Sequence, residues 1–141
     1  MDPLSFTASI FTVISAIGVI GKGLRKLIAL RHAPAILFAL NDEVAGLYCV
    51  VQAVEFLVRQ HAEIIQSGSM FNVCRALEKS KTTLLELEDL VQNKLTVETK
   101  DGERRLNWSA WLFAATKVQK IKDEIRADRI DLSSALSLLA S

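Results

Sequence analysis

Residues 34–65, PAILFALNDEVAGLYCVVQAVEFLVRQHAEII, decide the fold of this chain. Leu37, Leu40, Val44, Leu47, Val51, Val54, Val58 and Ile65 recur at alternating intervals of three and four, and His61 fills the one missing place. A helix turns once in about 3.6 residues, so this spacing gathers the side chains into one apolar stripe. Asn41, Asp42, Glu43, Glu55, Arg59 and Glu63 fall mostly off it. Pro34 suits the first turn, where its missing N–H breaks no helical bond. A stripe sustained over several heptads needs other helices to cover it, and the chain therefore reads as a helix bundle.

Toward the C-terminus the pattern repeats. Gln66-Ser67-Gly68-Ser69 is a stop and turn, followed by a helix over residues 70–96. Its seam is Val73, Leu77, Ser80, Leu84, Leu87 and Val91, widened by Leu85, Leu90 and Leu95. The polar stretch 97–107, VETKDGERRLN, holds the turn signal Asp101-Gly102. Thr96–Val97 and Arg105–Leu106 are able to pair there as a short hairpin. Asn107 is a suitable N-cap for a fourth helix carrying Trp108, Trp111, Leu112, Ala115, Val118, Ile121 and Ile125. Arg126-Ala127-Asp128 leads into a last segment, residues 130–140, in which Leu132, Ala135, Leu136 and Leu139 keep helical spacing and Asp131 or Ser133 serves as cap. The expected fold is all-α: an antiparallel bundle of four long helices plus a short C-terminal helical segment. Residues 1–141 form one domain, and the barely finished last segment suggests the N-terminal part of a longer protein.

Toward the N-terminus lies MDPLSFTASIFTVISAIGVIGKGLRKLIAL, residues 1–30. Pro3 suits a first turn, with Asp2 at its positive end. From Leu4 to Gly21 no side chain is charged, and Lys22, Arg25, Lys26 and Arg31 then follow closely, with no acid between Asp2 and Asp42. The uncharged run spans about 27 Å as a helix, against a hydrocarbon core of about 30 Å. Leu4, Phe6, Ile10, Phe11, Val13, Ile14, Ile17, Val19 and Ile20 favour membrane insertion by roughly 0.3–0.6 kcal/mol each. Ser5, Thr7, Ser9, Thr12, Ser15, Gly18 and Gly21 oppose it, so the sum is marginal. Leu4, Phe11, Ile14, Ile17, Leu24 and Leu27 or Ile28 also keep helical spacing, as a buried bundle helix would. Both readings stand on these residues.

The totals exclude several classes. Half of the 141 residues are apolar and 23% are charged, which describes a folded chain. A net charge of +1 supplies no global field for nucleic acid. Cys49 and Cys74 lack metal-ligand spacing and read as two buried thiols. The cations follow the apolar run instead of preceding it, unlike a secretory signal, so the expected compartment is cytoplasmic. Gly18-Val19-Ile20-Gly21-Lys22-Gly23 has neither the spacing nor the Ser or Thr of a phosphate loop. His32 and His61 have no ligand partner at helical spacing. Asp42/Glu43, Glu86/Glu88/Asp89 and the mixed charges of 117–128 read as solvated faces. Trp108 and Trp111 read as packing at the bundle end, with membrane-interface anchoring as the alternative. The sequence offers no catalytic, cofactor or metal residues and reads as a non-enzyme.

The opening Met1-Asp2-Pro3-Leu4-Ser5-Phe6-Thr7-Ala8-Ser9-Ile10 resembles the start of fungal HeLo-like domains, which stand at the front of NLR-like (STAND) receptors. Residues 37–58 are similar to that family's second helix, and Trp108–Ile125 with Asp131-Leu132-Ser133-Ser134-Ala135-Leu136 to its closing segment. Residues 97–107 match nothing in the pattern. The resemblance implies a cell-death effector that oligomerises on activation and disrupts the plasma membrane through its N-terminal helix. It implies insertion through Leu4, Phe6, Ile10, Phe11, Val13, Ile14, Ile17, Val19 and Ile20, with Lys22, Arg25, Lys26 and Arg31 on anionic headgroups. The partners implied are further copies of the chain, anionic lipids and a receptor domain. The competing expectation is a helical interaction module with no membrane step.

Overall fold

The computed structural model describes residues 3–30, 32–61 and 67–140, with side chains described at all of these except 3–5, 67, 104 and 140. Four helices dominate: α1 (Pro3–Ile28), α2 (Ala35–His61), α3 (Ser67–Asp89) and α4 (Trp108–Ala140). A π turn, Leu90–Lys94, ends α3, and two three-residue strands, β1 (Thr96–Glu98) and β2 (Arg104–Leu106), precede α4. The protein is an all-α bundle with one small hairpin. The expected places of Asp2, Arg31, Glu63, Ile65 and Gln66 lie outside the described residues.

α1 packs on α2 and α3, and α4 packs on the same two helices, so α2 and α3 take opposite corners although they are consecutive in sequence. Cross-helix contacts fix two of the directions. Ser9 Oγ donates to Glu78 Oε1 at 2.7 Å, and Gly23 lies against Val91, so α1 and α3 run parallel. Lys117 meets Glu86 at 3.1 Å and Lys79 meets Asp128 at 3.7 Å, so α3 and α4 run antiparallel. All four helices feed one continuous apolar cluster.

The α2 stripe is buried at every expected position from Leu37 to Val58, while His61 is exposed. The α3 seam is buried at Val73, Leu77, Ser80, Leu84, Leu87 and Val91, as are Leu90 and Leu95. Leu85 departs from expectation and is exposed, because it lies off the face that α1 and α4 cover. α3 also starts earlier than expected, at Ser67, with Ser67–Ser69 forming its first turn. Cys74 is buried but Cys49 is exposed, so only one thiol belongs to the core.

α4 is a single helix of 33 residues, and the expected terminal segment is its last part. Val118, Ile121, Ile125, Asp128, Leu132 and Ala135 are buried in unbroken three-and-four spacing. Asp128 occupies a seam position and is 1% exposed, so it continues the stripe instead of opening a solvated linker. Asn107 caps the helix by accepting from the Ala110 N–H at 3.2 Å.

The hairpin forms with Thr96 opposite Leu106, Val97 opposite Arg105 and Glu98 opposite Arg104. Thr99 N–H donates to Glu103 O at 2.8 Å, and Gly102 N–H to Thr99 O at 2.9 Å. Gly102 has φ 79°, the left-handed conformation that such a loop needs and glycine adopts without penalty. Asn107 N–H donates to Leu95 O at 2.9 Å, which ties the hairpin base to the π turn.

Candidate functional site

α1 divides its apolar residues between two faces. Phe6, Ile10, Val13, Ile17 and Ile20 are in the core, together with Leu24 and Leu27. Ile14 is partly buried against it. Phe11 is 70% exposed and Val19 36% exposed, so two of the expected insertion residues already face solvent. The Leu4 side chain lies outside the described residues. At the far end of α1, Lys22, Arg25 and Lys26 are all exposed, and no carboxylate lies within ion-pair distance of them among the described residues. The structure thus brings these three cations together at one helix end. Arg31 is not described.

Length and composition make two helices long and apolar enough to cross a membrane, Phe6–Ile28 and Ala35–His61. Less than half of either span is buried in the bundle. The second was not singled out from sequence, because its heptad points so strongly to a core helix. The legible sign was the lack of charge between Glu43 and Glu55.

Magnitudes set what α1 can do. Seven large side chains, from Phe6 to Leu27, are buried on this helix. Exposing them to water costs roughly 1.5–3 kcal/mol apiece, or about 10–20 kcal/mol in all. That exceeds the stability of a typical domain at its upper end. α1 therefore leaves the bundle only if lipid or another apolar surface covers it in the same event. One side-chain hydrogen bond, Ser9 to Glu78, also crosses from α1 to α3, and it too must break.

The C-terminal part of α1 faces the π turn. Val91 is held so close to Gly23 that a Cβ there would collide with the Val91 Cγ1. The turn closes through Leu95 N–H to Leu90 O at 3.0 Å, a five-residue spacing that widens the helix locally. Beside the contact a groove of about 790 Å³ opens, lined by Lys22, Lys26, Leu27, Leu30, Gln92 and Asn93 among others. This groove was not visible in the sequence, since nothing in Leu90–Lys94 announces a π turn.

A third feature is the start of α4. Trp111 is buried, but Trp108 is 50%, Leu112 77% and Phe113 90% exposed. Only one of the two tryptophans packs in the bundle end, and Leu112 is not part of the core. Between α3 and α4, Asp128 is buried with no hydrogen bond to either carboxylate oxygen among the described residues, and burial pushes its pKa up. Lys79 at 3.7 Å offsets this in part. Glu43 and Arg129 pair at 3.3 Å across α2 and α4.

Comparison with known protein families, with curated proteins and with solved structures returns no match.

Proposed function

We propose that this chain is a membrane-disrupting helical bundle, a cell-death effector of the HeLo-like kind its opening residues resemble. On activation it self-associates, α1 leaves the bundle, and several copies of α1 permeabilise the plasma membrane. The observation that carries the reading is α1 itself. It is a span of membrane length, uncharged up to Gly21, half on the core and half open, and it ends in three exposed cations with no ion-pair partner among the described residues. Near an anionic surface each cation contributes about 1 kcal/mol. Clustering matters because a single marginal helix binds weakly, whereas tethered copies gain avidity. The resting compartment is the cytoplasm, and the partners are further copies, anionic lipids and a receptor domain.

A second reading has its own observation. Trp108, Leu112 and Phe113 form an unpartnered apolar face on α4, as a helical docking module with no membrane step requires.

Dye leakage from anionic liposomes separates the two. Phe11 is the informative position, because its side chain is exposed and Phe11→Glu leaves the core intact. A carboxylate near the centre of an inserted helix costs about 3 kcal/mol per copy, so leakage falls by at least about tenfold at unchanged melting temperature. Removal of residues 1–22 abolishes it. Undiminished leakage from the Phe11→Glu protein overturns insertion through α1, and no leakage from the native chain, even when clustered, decides for docking through α4.

A further inference from the structure

We propose that the groove between the C-terminal third of α1 and the π turn binds one anionic phospholipid molecule while α1 is still in the bundle. The lipid phosphate sits on Lys22 and Lys26, and the first part of an acyl chain lies along Val19, Leu27, Leu30 and Val91. This rests on the membrane reading above and adds a step to it, a specific lipid contact made by the resting form.

The groove has the size and chemistry for such a ligand. Its volume of about 790 Å³ falls within the range of small-molecule sites, roughly 300–1,000 Å³. Its rim carries charge of one sign. Lys22 and Lys26 are four residues apart on one helix and so lie side by side, about 5–6 Å between Cβ atoms, a span that one phosphate bridges. Asp89, two residues before the groove wall, is already engaged, and no carboxylate lies within ion-pair distance of Lys22 or Lys26 among the described residues. Asp89 accepts from Asn93 at 2.9 Å and pairs with Lys94 at 3.2 Å, which leaves the lysine pair uncompensated. Gln92 adds an exposed amide at the rim.

The floor decides what class of anion fits. Leu27 and Val91 are core residues that form the floor with little open surface, and Val19 and Leu30 supply the open apolar surface along it. Free phosphate would use the lysines and leave this surface wet. A phospholipid covers both parts. Two local features meet at the groove: Gly23 lets α1 approach Val91 directly, and the π turn supplies Gln92 and Asn93 to the lining beside that contact. Because the ligand touches α1 and the turn at once, it binds the closed bundle and raises its stability by mass action.

The test uses the full chain and dihexanoyl phosphatidic acid below its micelle concentration, followed by two-dimensional amide NMR and by melting temperature. Dihexanoyl phosphatidylcholine and inorganic phosphate are the comparison arms. The expected result is saturation at one lipid per chain, with shifts concentrated at residues 19–30 and 91–96 and a raised melting temperature. Lys22→Gln with Lys26→Gln weakens binding by about tenfold or more. Equal binding of phosphatidylcholine, phosphate binding as tightly as phosphatidic acid, or indifference to the lysine variant each overturns the proposal. Liposome leakage is measured on the same proteins. Leakage without saturable lipid binding sinks the groove and leaves the α1 reading standing, whereas saturable binding without leakage does the reverse.

Discussion

Asp128 places a carboxylate in the seam between α3 and α4, where an apolar side chain is the ordinary occupant. Lys79, Thr83, Glu124 and Asp131 are the groups around it, and desolvation is the largest influence, so its folded-state pKa lies above the usual 3.8. A raised folded pKa means that the group stabilises the fold at low pH and that this contribution is lost as pH rises through the raised value. Asp128→Asn removes that dependence. Urea unfolding of the two proteins should show the variant gaining on the native chain as pH rises from the ordinary carboxylate value through the raised one. A gap that widens toward acid would contradict the account. Asp89 works in the other direction. It lies at the surface and is held below 3.8 by Asn93 and Lys94, so its contribution is lost only at lower pH and does not mask the first. Two glycines of α1 give a second contrast at this scale. Nothing lies within 4 Å of a Cβ placed on Gly18, so Gly18→Ala gains about 1 kcal/mol of helix propensity. Gly23→Ala drives a methyl into Val91 and costs more than it gains, by about 1–3 kcal/mol. Equal effects in thermal unfolding would mean that α1 does not seat on the π turn.

At the scale of elements, α4 carries the clearest lesson. No glycine or proline occurs between Trp108 and Ala140, which already spoke for one uninterrupted helix. A break at residues 126–128 was expected because Asp128 looks like solvent-facing charge, and only its packing against α3 shows that it continues the stripe. Ala127→Pro tests this continuity. The residue is exposed and mid-helix, so proline there costs about 3 kcal/mol or more in urea unfolding, whereas a linker would accept it. The α2 stripe was fully legible, because periodicity and apolar composition agree at every position from Leu37 to Val58. Leu85 and Cys49 were not, since a position beside a seam is buried or exposed according to which neighbour covers it. The candidate site was half legible. The uncharged run and its cations stand in the sequence, whereas the groove depends on a five-residue backbone spacing that side-chain identity does not encode.

At the scale of the whole molecule, the place of α1 in the core competes with the membrane role proposed for it. The same Phe6, Ile10, Val13, Ile17 and Ile20 that complete the core are the residues a membrane would cover. Leaving the bundle bare costs about 10–20 kcal/mol, so a soluble monomer with α1 released is negligibly populated, and the proposed mechanism requires release to be coupled to insertion. In the proposed mechanism α1 leaves α3 during membrane damage. Ser9 and Glu78 mark the place to block it, since their side chains meet at 2.7 Å across the two helices. Ser9→Cys and Glu78→Cys, in a Cys49→Ser and Cys74→Ala background, are bridged by a short cleavable thiol linker, and dye release from anionic liposomes is followed with the link closed and then cut. Leakage is expected to fall by at least about tenfold while the link is closed, the scale of a blocked insertion, and to return when it is cut. Leakage at full rate with α1 still tethered to α3 would contradict the proposed mechanism.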